Sequence, residues 1–110
     1  MNYVTIKPSG LLDKSSTNDI RQDVSDEIAE GAEAILLDFQ EVSFMNSSGI
    51  GALVALLKEV KAKQKTLAIC SLNAQISMIF ELTKMNDLFA IYQDLNAFEQ
   101  QYAATLAASR

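Results

Sequence analysis

No histidine occurs anywhere in the 110 residues, and that gap removes a large part of catalytic chemistry. Without an imidazole there is no Ser-His-Asp or Cys-His pair, and a zinc site would need ligands that this chain lacks. The single cysteine, Cys70, cannot close an internal disulfide. It lies in the apolar run TLAIC and reads as a small buried hydrophobe rather than a reactive thiol. No apolar run approaches the roughly 20 residues of a membrane span, and the opening MNYVTIKPSG has no basic stretch followed by an apolar block. A cytoplasmic protein without a membrane partner is the simplest expectation. Positive charge is scarce too: nine Lys and Arg stand against fourteen Asp and Glu, for a net charge of -5. That balance disfavours nucleic acid, whose phosphates need cations. Four lysines do gather at Lys58, Lys61, Lys63 and Lys65, but at an expected helix C-terminus, where they complement the dipole.

What is present suits one globular domain over 1–110. The hydrophobic fraction is 49%, and a chain of this length buries roughly two thirds of its unfolded surface without disulfides or metal. Asp19, Asp23, Asp26, Glu27, Glu30 and Glu33 follow closely on one another and read as the solvated face of an acidic helix. YVTIK, Tyr3 to Lys7, alternates apolar and polar residues and predicts a strand ended by Pro8 and Gly10, placed at a sheet edge. DKSSTNDI offers several helix caps. Ile20, Val24 and Ile28 then recur at helical spacing, with Gly31 ending the helix. AILLDF, Ala34 to Phe39, is nearly all apolar, as a strand buried on both faces should be.

Ile50, Leu53, Val54, Leu57 and Val60 carry a second helix to about Gln64, with QEVSF as the crossing segment before it. TLAIC gives a third strand, and NAQISMIFELT a third helix with Ile76, Ile79, Phe80 and Thr83 on one face. LFAIY is a fourth strand. NAFEQQYAATLAA is a fourth helix, with Asn96 and Glu99 at capping-box spacing and Phe98, Tyr102 and Leu106 on one stripe. The order β, α, β, α, β, α, β, α predicts an α/β fold, a small, mostly parallel four-stranded sheet with about four helices packed on it. Leu36, Leu53, Leu57 and Ile69 should lie in its core.

The most informative stretch is FMNSSGIGAL, Phe44 to Leu53, where a strand's end meets a helix's start, the usual ligand position in α/β folds. No lysine follows a glycine as a P-loop requires. The nucleophile elbow G-x-S-x-G is absent, and GIGALV holds only the first pair of a dinucleotide loop. Two readings stay open from the residues. Asn46 or Ser47 can be a helix cap with Gly49 and Gly51 allowing close packing. Alternatively, exposed hydroxyls beside free amides can make a helix tip that carries or meets a phosphate.

The stretch LLDFQEVSFMNSSGIGALVAL resembles the signature of STAS domains, specifically the bacterial anti-sigma factor antagonists. Their pattern runs from an apolar strand and an Asp through V-S-F/Y to M-D-S-S/T-G-L-G. PSGLLDKSS resembles the family's G-x-L-D step, and TLAICSLNAQISMIFELTKMNDLFAIY its third strand, third helix and last short strand. The resemblance implies the STAS fold and a non-enzymatic regulator of transcription, with no cofactor and no metal. It implies an antagonist that binds a cognate anti-sigma factor, which is also a GHKL-type serine kinase, in a partner-switching pathway. That kinase would phosphorylate Ser47, and a PPM-type Ser/Thr phosphatase would restore binding. Ser48 would be the neighbouring residue, and Gly49 and Gly51 would shape the helix start. Phe44 and Met45, taken as exposed apolar residues, would join Asn46, Ser47, Ser48, Gly49 and Gly51 as partner contacts. The chain departs from the pattern in having Asn46 for the Asp. The glycine after the third helix is replaced around Lys84 and Met85, and one N-terminal strand is expected where the relatives have two. Asn46 leaves a second expectation, a constitutive STAS-type scaffold or complex subunit without phosphorylation.

Overall fold

The computed structural model describes residues 3–108, with side chains through Tyr102. Two parallel sheets and four helices emerge, in the order β1 (Tyr3–Ile6), β2 (Ser9–Leu12), α1 (Lys14–Ala29), β3 (Ala34–Asp38), β4 (Glu41–Met45), α2 (Ser47–Ala62), β5 (Thr66–Cys70), α3 (Ala74–Leu82), β6 (Ala90–Tyr92) and α4 (Leu95–Ala108). A short 3-10 turn, Met85–Asp87, separates α3 from β6. The larger sheet runs β1-β3-β5-β6, parallel throughout. The expected edge position of β1 and the α/β class are both found.

Alternation along the strands divides the core. Ile35, Leu37, Leu67 and Ile69 face one side, where α1, α2 and α3 supply Ile20, Val24, Leu53, Leu57, Val60, Ile76 and Phe80. Leu36, Ala68 and Cys70 face the other side, where α4 lays down Phe98 and Tyr102 beside Tyr3 and Tyr92. A strand sandwiched between helix layers must be apolar at every position, and all five residues of β3 are buried. Leu36, Leu53, Leu57 and Ile69 are in the core as expected. Cys70 is fully buried, and burial pushes its thiol pKa up, as an inert thiol requires. Leu106 lies outside the described side chains.

Three local expectations need correction. QEVSF is not a bare crossing, because Glu41–Met45 forms a strand that pairs in parallel with Ser9–Leu12, giving two N-terminal strands instead of one. The register passes from Gly10↔Val42 to Leu11↔Phe44, so Ser43 is an extra bulged residue on β4. Gly10, at φ 73, supplies on β2 a backbone twist that other residues adopt poorly. Second, α4 starts two residues earlier than the Asn96 box implies. Asp94 accepts from the Ala97 N–H at 2.8 Å, while Glu99 turns away to accept from the Tyr3 hydroxyl at 2.9 Å. Third, the last strand is only Ala90–Tyr92, because Leu88 and Phe89 finish the 3-10 turn and Phe89 packs on Phe80.

The missing glycine after α3 also has a structural account. Lys84 holds the left-handed conformation there, φ 63 and ψ 20, just beyond the helix cap. A side chain in that region costs about 1 kcal/mol or more. Lys84→Gly is therefore expected to raise stability by about 0.5–1 kcal/mol in urea titration, the relief of strain outweighing the added freedom of the unfolded chain. A loss of stability would mean that the lysine holds this turn by contacts of its own.

Candidate functional site

The site is the tip where β2 and β4 deliver the chain to α2. Leu12 and Met45 are register partners at the ends of these strands, and the Asn46 N–H donates to the Leu12 carbonyl at 3.2 Å. One further residue begins the helix. Asn46 is the N-cap, in extended conformation, with Oδ1 accepting from the Gly49 N–H at 2.9 Å and from the Ser48 hydroxyl at 2.8 Å. The Ile50 N–H closes on the Asn46 carbonyl. That leaves the amides of Ser47 and Ser48 without an acceptor among the described residues, at the positive end of a 16-residue helix.

The two serines therefore differ. Both are exposed, but the Ser48 hydroxyl is tied into the cap, whereas that of Ser47 makes no hydrogen bond among the described residues. An exposed hydroxyl at the first position of a helix, beside two open amides, is arranged to accept a charged substituent without loss to the fold.

Gly49 and Gly51 have separate reasons to be there. Gly49 is buried, and a Cβ on it would stand 2.1 Å from the Leu12 carbonyl oxygen and 2.8 Å from its carbon. Its absent side chain lets α2 seat on β2, and its amide is spent on the cap rather than left open to approach. Gly51 faces open space, with nothing within 4 Å of a built Cβ. Close packing thus explains Gly49 and does not explain Gly51.

Phe44 and Met45 also separate. Phe44 is 38% exposed, as expected, but Met45 is 1% exposed and belongs to the core. The expectation of an exposed Met45 fails because the Ser43 bulge turns both Val42 and Met45 inward. Phe44 has instead a partner that the sequence did not reveal. Leu11 stands opposite it across the β2–β4 pair and is 49% exposed, so an apolar pair flanks the helix tip. Asn73 was missed as well. Its amide donates to the carbonyls of Val42 at 3.1 Å and Ser43 at 3.3 Å, while its Oδ1 caps α3 through Ile76. One side chain thereby fixes the bulge and joins α3 to the site. Among the described residues no group of acidic or thiol side chains is placed to hold a metal, and no helix is long and apolar enough to cross a membrane.

The comparison with known families decides the assignment, since the STAS domain model matches residues 2–98. The chain belongs to the STAS domain family. Anti-sigma-B factor antagonist from Staphylococcus aureus is 27% identical over 89 residues, covering 81% of this chain and 82% of the relative. Among solved structures, a putative anti-sigma factor antagonist from Thermotoga maritima superposes with a TM-score of 0.79 at 22% identity, over 90% of this chain and 86% of the other. The phosphorylated form of the Bacillus cell fate determinant SpoIIAA gives 0.64 at 23% identity, over 90% of each chain. The STAS fold of this chain, with its larger parallel sheet and four helices, is common to them. The relatives so named are regulators rather than enzymes.

Proposed function

We propose that this STAS domain is an anti-sigma factor antagonist controlled by phosphorylation of Ser47. The observation that carries the reading is the asymmetry of the two serines: Ser48 is held by Asn46, while Ser47 presents an unengaged hydroxyl beside open amides at the tip of α2. Its partner is a cognate anti-sigma factor that is also a GHKL-type serine kinase, and a PPM-type phosphatase reverses the modification. The unmodified tip, with Leu11 and Phe44 beside it, forms the docking face, and Asn46, Ser47, Ser48 and Gly51 complete it. Gly49 and Met45 hold its shape from beneath. A phosphate brings about -1.5 to -2 charges to one point. The helix dipole and the amides of Ser47 and Ser48 accommodate that charge within the fold, whereas a surface fitted to a neutral hydroxyl does not.

Asn46 is compatible with this chemistry. Both of its hydrogen bonds are accepted through Oδ1, so an aspartate would preserve the cap. What asparagine lacks is the ability to take a proton. Phosphoryl transfer depends mostly on positioning and on the kinase's own metal and acidic groups. Incubation with the cognate kinase and Mg-ATP, followed by tandem mass spectrometry, should place phosphate on Ser47 and not on Ser48. Asn46→Asp should raise the rate by about tenfold or less. Absence of phosphate on the wild-type chain, with Asn46→Asp restoring it, would identify a constitutive scaffold in which the switch has been lost.

A further inference from the structure

Parallel sheets end in strands whose outer N–H and C=O groups need a partner, and this molecule closes its edges unequally. In the smaller sheet, Ser16 donates to the Leu11 carbonyl and Asn73 to those of Val42 and Ser43, so side chains occupy the strand backbones. In the larger sheet, β6 is a stub of three residues. The strand β1 is different. Among the described residues, no hydrogen bond reaches the backbone of Tyr3–Ile6 except those of its pairing with β3. Nor does β1 carry a charge, proline or bulge of the kind that blunts an edge.

Beside that edge runs a groove between β1 and α1. Its floor is Val4, Thr5 and Ile6, and its wall is Asp23, Asp26, Glu27 and Glu30. Asp26 accepts from Gln22, while Asp23, Glu27 and Glu30 make no ion pair among the described residues. The cations flanking this strip are committed elsewhere, Lys7 to Glu41 and Arg21 to Glu59. On the other side of the strand Tyr3 stands with Phe98 and Tyr102, their ring centroids 5.0 and 5.1 Å away. A strand laid along β1 would therefore have acids on its α1 side and aromatic rings on its α4 side.

We propose that the outer edge of β1 docks an extended, basic segment of a protein partner as an added strand. Main-chain hydrogen bonds to β1 supply the register, and alternate side chains supply the specificity. Lysines or arginines at every second position meet the acids of α1, and apolar residues between them meet Tyr3 and Tyr102. A second copy of this chain is a poor occupant. Edge-to-edge pairing would set two acidic walls against each other in a protein whose net charge is already -5.

The test uses a capped six-residue peptide of alternating lysine and valine, with an alternating glutamate and valine peptide as control. The basic peptide should shift the amide resonances of Tyr3–Ile6, and the acidic one should not. Asp23→Asn, Glu27→Gln and Glu30→Gln together should weaken binding by about tenfold or more. Two further peptides, N-methylated at opposite sets of alternate amides, separate strand addition from ionic adhesion: one should lose binding and the other keep it. Ser47→Asp should bind the peptide as wild type does, because the groove shares no residue with the α2 tip. The proposal is overturned if residues 3–6 do not respond, if the neutralised variant binds equally well, or if both methylated peptides behave alike.

Discussion

Gly49→Ala is expected to lower the melting temperature by about 10 °C or more, while Gly51→Ala, two residues along the same helix, raises it slightly. Both exchanges add one methyl group to the first turns of α2, and both gain helix propensity of up to about 1 kcal/mol. The difference is what the methyl meets. At Gly51 it enters open space, so the propensity gain stands alone. At Gly49 it would lie 2.1 Å from the Leu12 carbonyl oxygen, which belongs to a backbone and cannot rotate aside. That oxygen also accepts from the Asn46 N–H, so moving it breaks the bond that joins β2 to the helix cap. Overpacking of this kind costs about 1–3 kcal/mol and sometimes more. Against a rigid contact, we expect a net loss of about 2–4 kcal/mol, a large share of a small domain's total stability. Thermal scans of the two variants side by side provide the check. Equal melting temperatures would mean that α2 does not rest on β2 as described.

The larger sheet, apart from the start of β6, was legible because its strands obey simple rules. β3 and β5 are continuous apolar runs, as strands covered on both faces must be, and helical periodicity marked α1, α2 and α3. The smaller sheet was illegible for an equally physical reason. In β4 the buried positions are Val42 and Met45, three residues apart, because Ser43 bulges out of register. A pattern search for period two passes over such a strand. β2 offers only Leu12 to the core, and its Gly10 reads as a loop. The pairing is parallel as well, so no tight hairpin turn announces it.

The same bulge governs what could be read of the site. The serines and glycines of the tip were visible as a motif, and Asn46 was recognised as a possible cap. Their division of labour was not visible, since it depends on which donor the Asn46 oxygen meets in space. The inward turn of Met45 and the pairing of Phe44 with Leu11 follow from a register that exists only between β2 and β4. At α4, the spacing of Asn96 and Glu99 points to a cap two residues beyond the one the structure uses, Asp94, because the hydrogen bond from Tyr3, far away in sequence, takes Glu99 out of the box. Long-range contacts settled what local spacing left open.

Ser47→Asp should separate stability from binding more sharply than any other substitution at the tip. Ser47 is exposed, occupies the first position of α2, and gives up no hydrogen bond among the described residues when replaced. A carboxylate there meets the open amides of Ser47 and Ser48 and the positive end of the dipole, a favourable effect of about 0.3–1 kcal/mol. The melting temperature should therefore remain within a few degrees of wild type, on the order of 2 °C. Binding to the cognate anti-sigma factor is expected to fall on the order of 10²-fold. A charge brought against a surface fitted to a hydroxyl costs several kcal/mol when like charges or buried apolar groups face it. Ser47→Ala should keep wild-type affinity and become insensitive to the kinase, since it preserves the neutral surface and removes the acceptor of the phosphate. Titration calorimetry with the cognate partner reads the affinity, and a thermal scan of the same samples reads the fold. Wild-type affinity in Ser47→Asp would place the docking face elsewhere. Unfolding would mean that the tip does not tolerate charge, and a residue that cannot carry charge in the folded state cannot serve as a phosphate switch.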